Sequence, residues 1–229
     1  MTTLIYIPAR SGSKSLKDKN IKKIGNKNLI EHSYDFAKKL KIKKIVFIST
    51  DKKKYLKKTY NHFNYLRPKK FSADKSSVIE GILHCLNYFE KKNIHLKNVL
   101  LLQPTSPFRS TEEFKKGLNI FFKKNLESLI GVTKMKEHPN ECIKKVGKNW
   151  YPLLTKSSVQ IQRQEYNKNF YFIDGSFYIA KVEFLKKNKS FLNFKKTYFF
   201  PLFNKAVIDI DEENDLNLSK IIYKHYLSK

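Results

Sequence analysis

The sequence predicts an α/β fold with a mostly parallel sheet flanked by helices, and three observations carry that prediction. Short apolar or β-branched runs recur along the chain, helical periods lie between them, and 229 residues with 41% hydrophobic side chains suffice to bury one sizeable core. The runs are Thr3 to Ile7, Ile45 to Ser49, Val99 to Leu102 and Leu129 to Thr133. Their near-continuous apolar character is that of strands covered on both faces, as parallel sheets require. Val78, Ile82, Cys85, Leu86 and Phe89 fall at i, i+4, i+7, i+8 and i+11, one face of a helix that buries Cys85. Ser110 followed by Glu113 predicts a capping box opening a helix through Phe114, Leu118 and Phe121. From Glu137 to Gln164 the pattern loosens, with Pro139, Gly147 and Pro152 interrupting it and Trp150 beside Tyr151. This 137–164 stretch reads either as a dimerisation hairpin or arm, whose aromatic side chains need a second subunit to cover them, or as a solvent-exposed loop. Strand pattern resumes at Ser176 to Ala180, Phe199 to Pro201 reads as strand core or else as the lining of a pocket, and Ala206 to Ile210 predicts a last strand. A final helix carries Leu218, Ile221, Ile222 and Tyr226. No linker, repeat or low-complexity tract divides the chain, so 1–229 reads as one domain.

Composition narrows the function classes. No apolar run approaches the roughly 20 residues that span a bilayer, and Met1 to Ile7 has no basic residue ahead of its short apolar run, so a cytoplasmic protein is expected. Two cysteines, Cys85 and Cys142, exclude a disulfide framework and any CxxC zinc pattern, and both are expected reduced. The net charge of +27 invites a nucleic-acid reading, yet only four of the 47 basic residues are arginines and the lysines are spread from end to end. Dispersed lysine lacks the clustering that phosphate tracking needs, which argues for a solvated coat rather than a nucleic-acid footprint. The six histidines show no paired metal spacing, and Ser13 and Ser15 have no histidine and acid nearby that would support nucleophilic hydrolysis.

The most informative stretch follows the first strand: Pro8-Ala9-Arg10-Ser11-Gly12-Ser13-Lys14-Ser15-Leu16-Lys17-Asp18-Lys19-Asn20. A small-residue loop presents backbone N–H groups as an anion cradle, while Arg10, Lys14 and Lys19 supply positive charge for a polyphosphate. The stretch matches neither GxxxxGK[ST] nor GxGxxG, and a merely basic surface loop is the alternative.

Ile5 to Lys14, followed by Lys19-Asn20-Ile21, resembles the signature of the acylneuraminate cytidylyltransferases, the CMP-sialic acid (CMP-nonulosonate) synthetases and their relatives. Arg67-Pro68 with Asp74 and Ser76-Ser77 resembles that family's second block, Leu101 to Ser110 its third, and Val207 to Asp211 its last. Arg163-Gln164 matches another. The blocks keep family order and span nearly the whole chain.

The resemblance implies a Rossmann-like sheet of the nucleotide-diphospho-sugar transferase type, a homodimer, and Mg²⁺-dependent transfer of CMP from CTP to the anomeric hydroxyl of a nonulosonic acid. Phosphoryl transfer asks mainly for in-line positioning and neutralisation of developing charge. Arg10, Lys14 and Lys19 are therefore expected to grip the triphosphate and steady the departing pyrophosphate, with Ser13 and Asn20 orienting it. The resemblance places Arg67 and Ser77 near the cytidine, and Gln103, Arg163, Asp174 and Gly175 on the sugar side. Asp209 and Asp211 are the expected Mg²⁺ ligands, Asp211 foremost, and with Arg10 and Lys19 it makes up the expected catalytic set. Spacing alone also allows Asp211 to cap a helix beginning near Glu212, and the two roles can coexist. On a strand, Asp209 and Asp211 alternate, so both face one pocket only if the strand ends or bulges there.

Asp174-Gly175 stands where relatives commonly show Asn-Gly, Phe172 where a basic residue often stands, and Asn140-Glu141 near His138-Pro139 where relatives often carry a base. These positions fall on the sugar side, which leaves neuraminate, legionaminate and pseudaminate types all open. The competing readings are another sugar nucleotidyltransferase, such as a KDO cytidylyltransferase, and a basic nucleic-acid-binding protein. Gln103 weighs against the former, because KDO enzymes tend to carry an acidic metal ligand at that strand end.

Overall fold

In the computed structural model, residues 2–13, 15–57, 60, 65–73, 76–135, 137–154, 169–203 and 208–227 are described below. In chain order they form β1 (Thr3–Pro8), β2 (Lys23–Ile24), β3 (Lys27–Asn28), α1 (Leu29–Lys39), β4 (Lys44–Ser49), α2 (Val78–Glu90), β5 (Asn98–Leu101) and α3 (Thr111–Lys123). There follow β6 (Ser128–Lys134), β7 (Ile143–Val146), β8 (Asn149–Pro152), β9 (Tyr171–Lys181), α4 (Val182–Asn188), β10 (Thr197–Pro201) and α5 (Glu213–Ile222). The central sheet has the order β10-β6-β9-β5-β1-β4. Only β9 runs antiparallel to its neighbours β5 and β6, so the sheet is mostly parallel, as expected.

Alternate residues of each core strand enter different clusters. Ile5 and Ile7 of β1 pack with Leu100, Phe114 and Phe121 on the face of α1 and α3. Leu4 and Tyr6 pack with Val99, Ile82, Cys85 and Phe89 on the face of α2 and α4. Double coverage is why these strands read as unbroken apolar runs. Cys85 is fully buried as expected, both cysteines are free, and among the described residues no helix is long and apolar enough to cross a membrane.

β1 has β4 on one side and β5 on the other, so the chain reverses its direction of travel across the sheet at β1. In open α/β sheets that switch point opens a crevice beyond the carboxyl ends of the strands. The loops leaving β1, β4 and β5 all border it.

Three expectations are corrected. Ser110 does cap α3, its Oγ accepting from the Glu113 amide, but the reciprocal arm is missing: Glu113 Oε1 accepts from the Phe203 amide at 2.5 Å instead. The strand expected over Ala206 to Ile210 does not form in its described part. The Ile210 amide donates to the Thr105 carbonyl at 2.8 Å, a loop-to-loop bond that removes it from any ladder. On α5 the buried side carries Leu216 and Ser219, with Ile222 partly buried, whereas Leu218 and Ile221 point to solvent.

Candidate active site

A cleft of about 490 Å³ lies at the switch point, lined by Arg10, Ser13, Ser15, Lys19 and Asn20 after β1, Arg67, Ser76 and Ser77 ahead of and at the start of α2, Gln103 and Thr105 after β5, and Asp211. Residues singled out near both ends of the sequence thus share one wall. Lys19 Nζ pairs with Asp211 Oδ1 at 2.6 Å across 192 positions, and Ser15 Oγ donates to the Asp211 carbonyl at 2.6 Å. The Lys19 side chain is 11% exposed and that of Asp211 68%, so the cation is fixed in the wall while the carboxylate opens to the cleft.

A small apolar cluster holds these loops together. Leu16 from the first loop, Phe108 from the loop after β5, and Ile210 from the last loop bury against Ile24, Leu29 and Leu216. Each such side chain contributes about 1.5–3 kcal/mol on burial, so the polar motifs carry their own hydrophobic anchors.

The first loop is braced from several sides. Asp51, just beyond β4, accepts from the Ser11 amide at 2.9 Å and from Ser11 Oγ at 2.6 Å. Asn20 Nδ2 donates to the Arg10 carbonyl at 2.9 Å, so this buried amide shapes the loop. Arg67 is 6% exposed; its Nε donates to Ser49 Oγ at 2.9 Å and its terminal nitrogen to the Ser49 carbonyl. Tyr6 donates to the same hydroxyl at 2.9 Å, and burial pushes its phenol up to about 12, which keeps it a donor. Ser77 caps α2 in a full box, its Oγ accepting from the Glu80 amide and its own amide donating to Glu80 Oε2. The positive end of α2 therefore faces the cleft beside Arg67.

On the other side, β9 loses register with β6 between Ile130 and Val132, and Asp174 to Phe177 bulge out opposite Gly131. Gly175 has φ +81°, and a Cβ there would lie 2.9 Å from Gln103 Oε1 and 3.9 Å from Asp209 Oδ2. Gln103, Gly175 and Asp209 therefore converge. Asp174 is buried and both its carboxylate oxygens are engaged: Thr133 Oγ1 donates to Oδ2 at 2.6 Å, and the Ser176 amide and hydroxyl donate to Oδ1 at 2.9 and 2.8 Å. Its carboxylate builds the bulge instead of reaching the cleft. Asp209 retains accessible surface, but surrounding protein raises its pKa, and the negative charge of Asp211 raises it further. A hydrogen bond with the Thr105 side chain and the charges of Lys19 and Arg109 pull it back.

Asp211 is not a helix cap. The cap of α5 is Glu212, and Asp215 Oδ2 accepts from the amides of both Asp211 and Glu212. Of the expected site residues, Arg10, Ser13, Lys19, Asn20, Arg67, Ser77, Gln103 and Asp211 border the cleft, and Gly175 and Asp209 lie beside Gln103. Lys14 and Arg163 lie outside the described residues, as does Asp74. Sequence reading passed over Ser49, Asp51 and Thr133, which hold Arg67, the first loop and Asp174. Their partners lie 18 to 41 positions away, beyond the reach of any local pattern.

Comparison with known proteins bears on the same cleft. The cytidylyltransferase family model matches residues 4–228. The chain is 32% identical over 196 residues to the CMP-N,N'-diacetyllegionaminic acid synthase of Legionella pneumophila subsp. pneumophila, covering 83% of each chain. It is 25% identical over 228 residues to the pseudaminic acid cytidylyltransferase of Campylobacter jejuni subsp. jejuni, covering 98% of this chain and 97% of the other. Against the N-acylneuraminate cytidylyltransferase of Escherichia coli O18:K1:H7, 26% identity over 222 residues covers 94% of this chain but 51% of the relative, so the chain spans about half that protein's length. Among solved structures, a CMP:2-keto-3-deoxy-manno-octonic acid synthetase complexed with CTP shares the fold, with a TM-score of 0.68 at 13% identity over 99% of this chain and all of the other.

Proposed function

Because the chain belongs to the cytidylyltransferase family, we propose that it transfers CMP from CTP to the anomeric hydroxyl of a nonulosonic acid of the legionaminate, pseudaminate or neuraminate type. The observation that carries this reading is the meeting of the first and last loops across one cleft, with Lys19 and Asp211 2.6 Å apart. A metal–triphosphate needs a cation and a carboxylate side by side, and this wall offers both.

The sugar hydroxyl gives up its proton to solvent as its oxygen bonds to the α-phosphorus, the bond from that phosphorus to the β-bridging oxygen breaks, and pyrophosphate departs with the electron pair. Arg10 and Lys19 neutralise the charge that builds on the leaving group. The capped start of α2 adds its dipole, and Arg67, braced on Ser49, offers directed donors to the base. On the far wall the Gln103 amide orients the sugar, with Gly175 leaving it room.

Asp209 and Asp211 fit a hard divalent ion such as Mg²⁺. Burial raises the pKa of Asp209 and the charge of Asp211 raises it further, a cost to the carboxylate of the kind a cation relieves. With two carboxylates from the protein, phosphate oxygens and water would supply the remaining ligands of such an ion. When bound, such an ion neutralises phosphate charge and lowers the pKa of the attacking hydroxyl.

A homodimer is part of the same proposal. β7 and β8 form an isolated antiparallel hairpin that is exposed along its length, with Ile143, Val146 and Trp150 each about 60% exposed and Tyr171 to Ile173 open as well. A lone two-stranded hairpin is marginal in water, and an apolar surface of this kind calls for a covering subunit.

Pyrophosphate release from CTP tests the function, using N-acetylneuraminate, a legionaminate, a pseudaminate and KDO, with and without EDTA. Release with one of the nine-carbon acids, lost on chelation and restored by Mg²⁺, is expected. Turnover with KDO alone contradicts the sugar assignment, and a salt-dependent shift on DNA or RNA without CTP turnover favours the nucleic-acid reading.

A further inference from the structure

Arg109 closes the block that begins at Leu101, yet it is not among the residues lining the nucleotide cleft. Its Nε donates to the Ser176 carbonyl at 3.2 Å, one terminal nitrogen to Ser33 Oγ at 3.2 Å, and the other to the Gln103 carbonyl. The guanidinium carbon stands 5.8 Å from the centre of the Phe36 ring. The three acceptors belong to three separate pieces of chain: the bulge of β9, helix α1 and the loop after β5. Ser33 and Ser176 are buried and Arg109 is partly buried, so the acceptor ends of these two bonds are shielded from solvent. Burial lowers the arginine to about 9, partly offset by Asp174 and Asp209, and it remains a cation at neutral pH.

We propose that Arg109 is a positioning residue for the acidic sugar: by tying the Gln103 carbonyl to the Ser176 carbonyl, it sets the gap between the Gln103 amide and Gly175. That gap admits no Cβ unless the Gln103 amide moves, since Gln103 Oε1 stands 2.9 Å from the Cβ that Gly175 lacks. Only a planar fork spans three acceptors held in fixed directions. An ammonium on a flexible stem carries the same charge without that geometry. A displacement of about 1 Å at such a point costs up to about a hundredfold in rate, although no contact to substrate is lost. The acceptors of Arg109 are the Gln103 and Ser176 carbonyls and Ser33 Oγ, whereas Arg10, Lys19 and Arg67 on the CTP side have braces of their own. The inference rests on the proposed function for its substrate and on the geometry alone for its mechanism.

Arg109→Lys tests it. The expected result is a KM for the accepted nonulosonic acid raised roughly tenfold or more, with the KM for CTP within about twofold of the parent. Equal changes in both, or none in either, overturn the proposal. If the lysine variant does not fold, as judged by its thermal transition, Ser33→Ala decides: it removes one acceptor, and a smaller rise confined to the sugar KM supports the proposal, whereas no change overturns it. Hydrogen exchange of Arg109→Lys and Ser33→Ala separates this inference from the functional reading. Should the parent turn over no nonulosonic acid, the function fails. Faster exchange confined to residues 103–106 and 174–178, with CTP binding intact, would still support Arg109 as the tie, and unchanged exchange would overturn it.

Discussion

At φ +81°, Gly175 holds a backbone conformation that costs any residue with a Cβ roughly 1–2 kcal/mol, and that Cβ would also press on Gln103. Gly175→Ala is therefore expected to lower unfolding stability by about 1–3 kcal/mol and to reduce kcat/KM for the sugar by more than about tenfold while sparing CTP affinity. Denaturant melts and two-substrate kinetics check it, and a variant with parental sugar kinetics would remove Gly175 from the site. At this scale the sequence was legible where a motif concentrated its chemistry: Arg10, Ser13, Lys19, Arg67, Gln103 and Asp211 all border one cleft. It was silent or misleading where the role depends on a distant partner. Asp174 resembles a sugar ligand by position, but Thr133, far away in sequence, and Ser176 occupy its carboxylate. Asp51 carries no signal of its own and yet accepts both hydrogen bonds from Ser11.

Among the elements, the four apolar runs proved to be β1, β4, β5 and β6 because burial on both faces leaves a pattern that needs no context. The short α4 was not anticipated, having only seven residues, and α1 was passed over although its Asn28 to Glu31 capping box and its apolar face of Leu29, Ile30, Phe36 and Ala37 were legible. In its described part, 208–210, the strand expected at 206–210 does not form, for a different reason. β-branched composition allows a strand, but the Thr105 carbonyl took the Ile210 amide, so residues 208–210 are loop and Asp209 and Asp211 escape the alternation a strand imposes. The excursion is the element whose function is most exposed to test. Replacing Ile143 and Trp150 together with lysine should convert a dimer into a monomer at micromolar concentration in sedimentation velocity, because charged side chains cannot be covered by an apolar partner surface. A parent chain that sediments as a monomer would refute the dimer.

At the scale of the molecule, three apolar clusters among the described residues divide the labour. Two fill the faces of the sheet, and the third pins the first loop, the loop after β5 and the last loop to one another, so the cleft is set by hydrophobic anchors as much as by its polar lining. The charge of +27 surrounds this frame without defining it; the arginines Arg10 and Arg67 border the cleft and Arg109 braces its wall, whereas the lysines populate the surface at large. The most direct measurement is a crystal structure with CTP and Mg²⁺. The triphosphate is expected within hydrogen-bonding distance, about 3 Å, of the loop 10–13 amides and Lys19, with the metal on Asp211 and the cytosine beside Arg67. CTP bound elsewhere, or bound with its phosphates turned away from both Lys19 and Asp211, would contradict it.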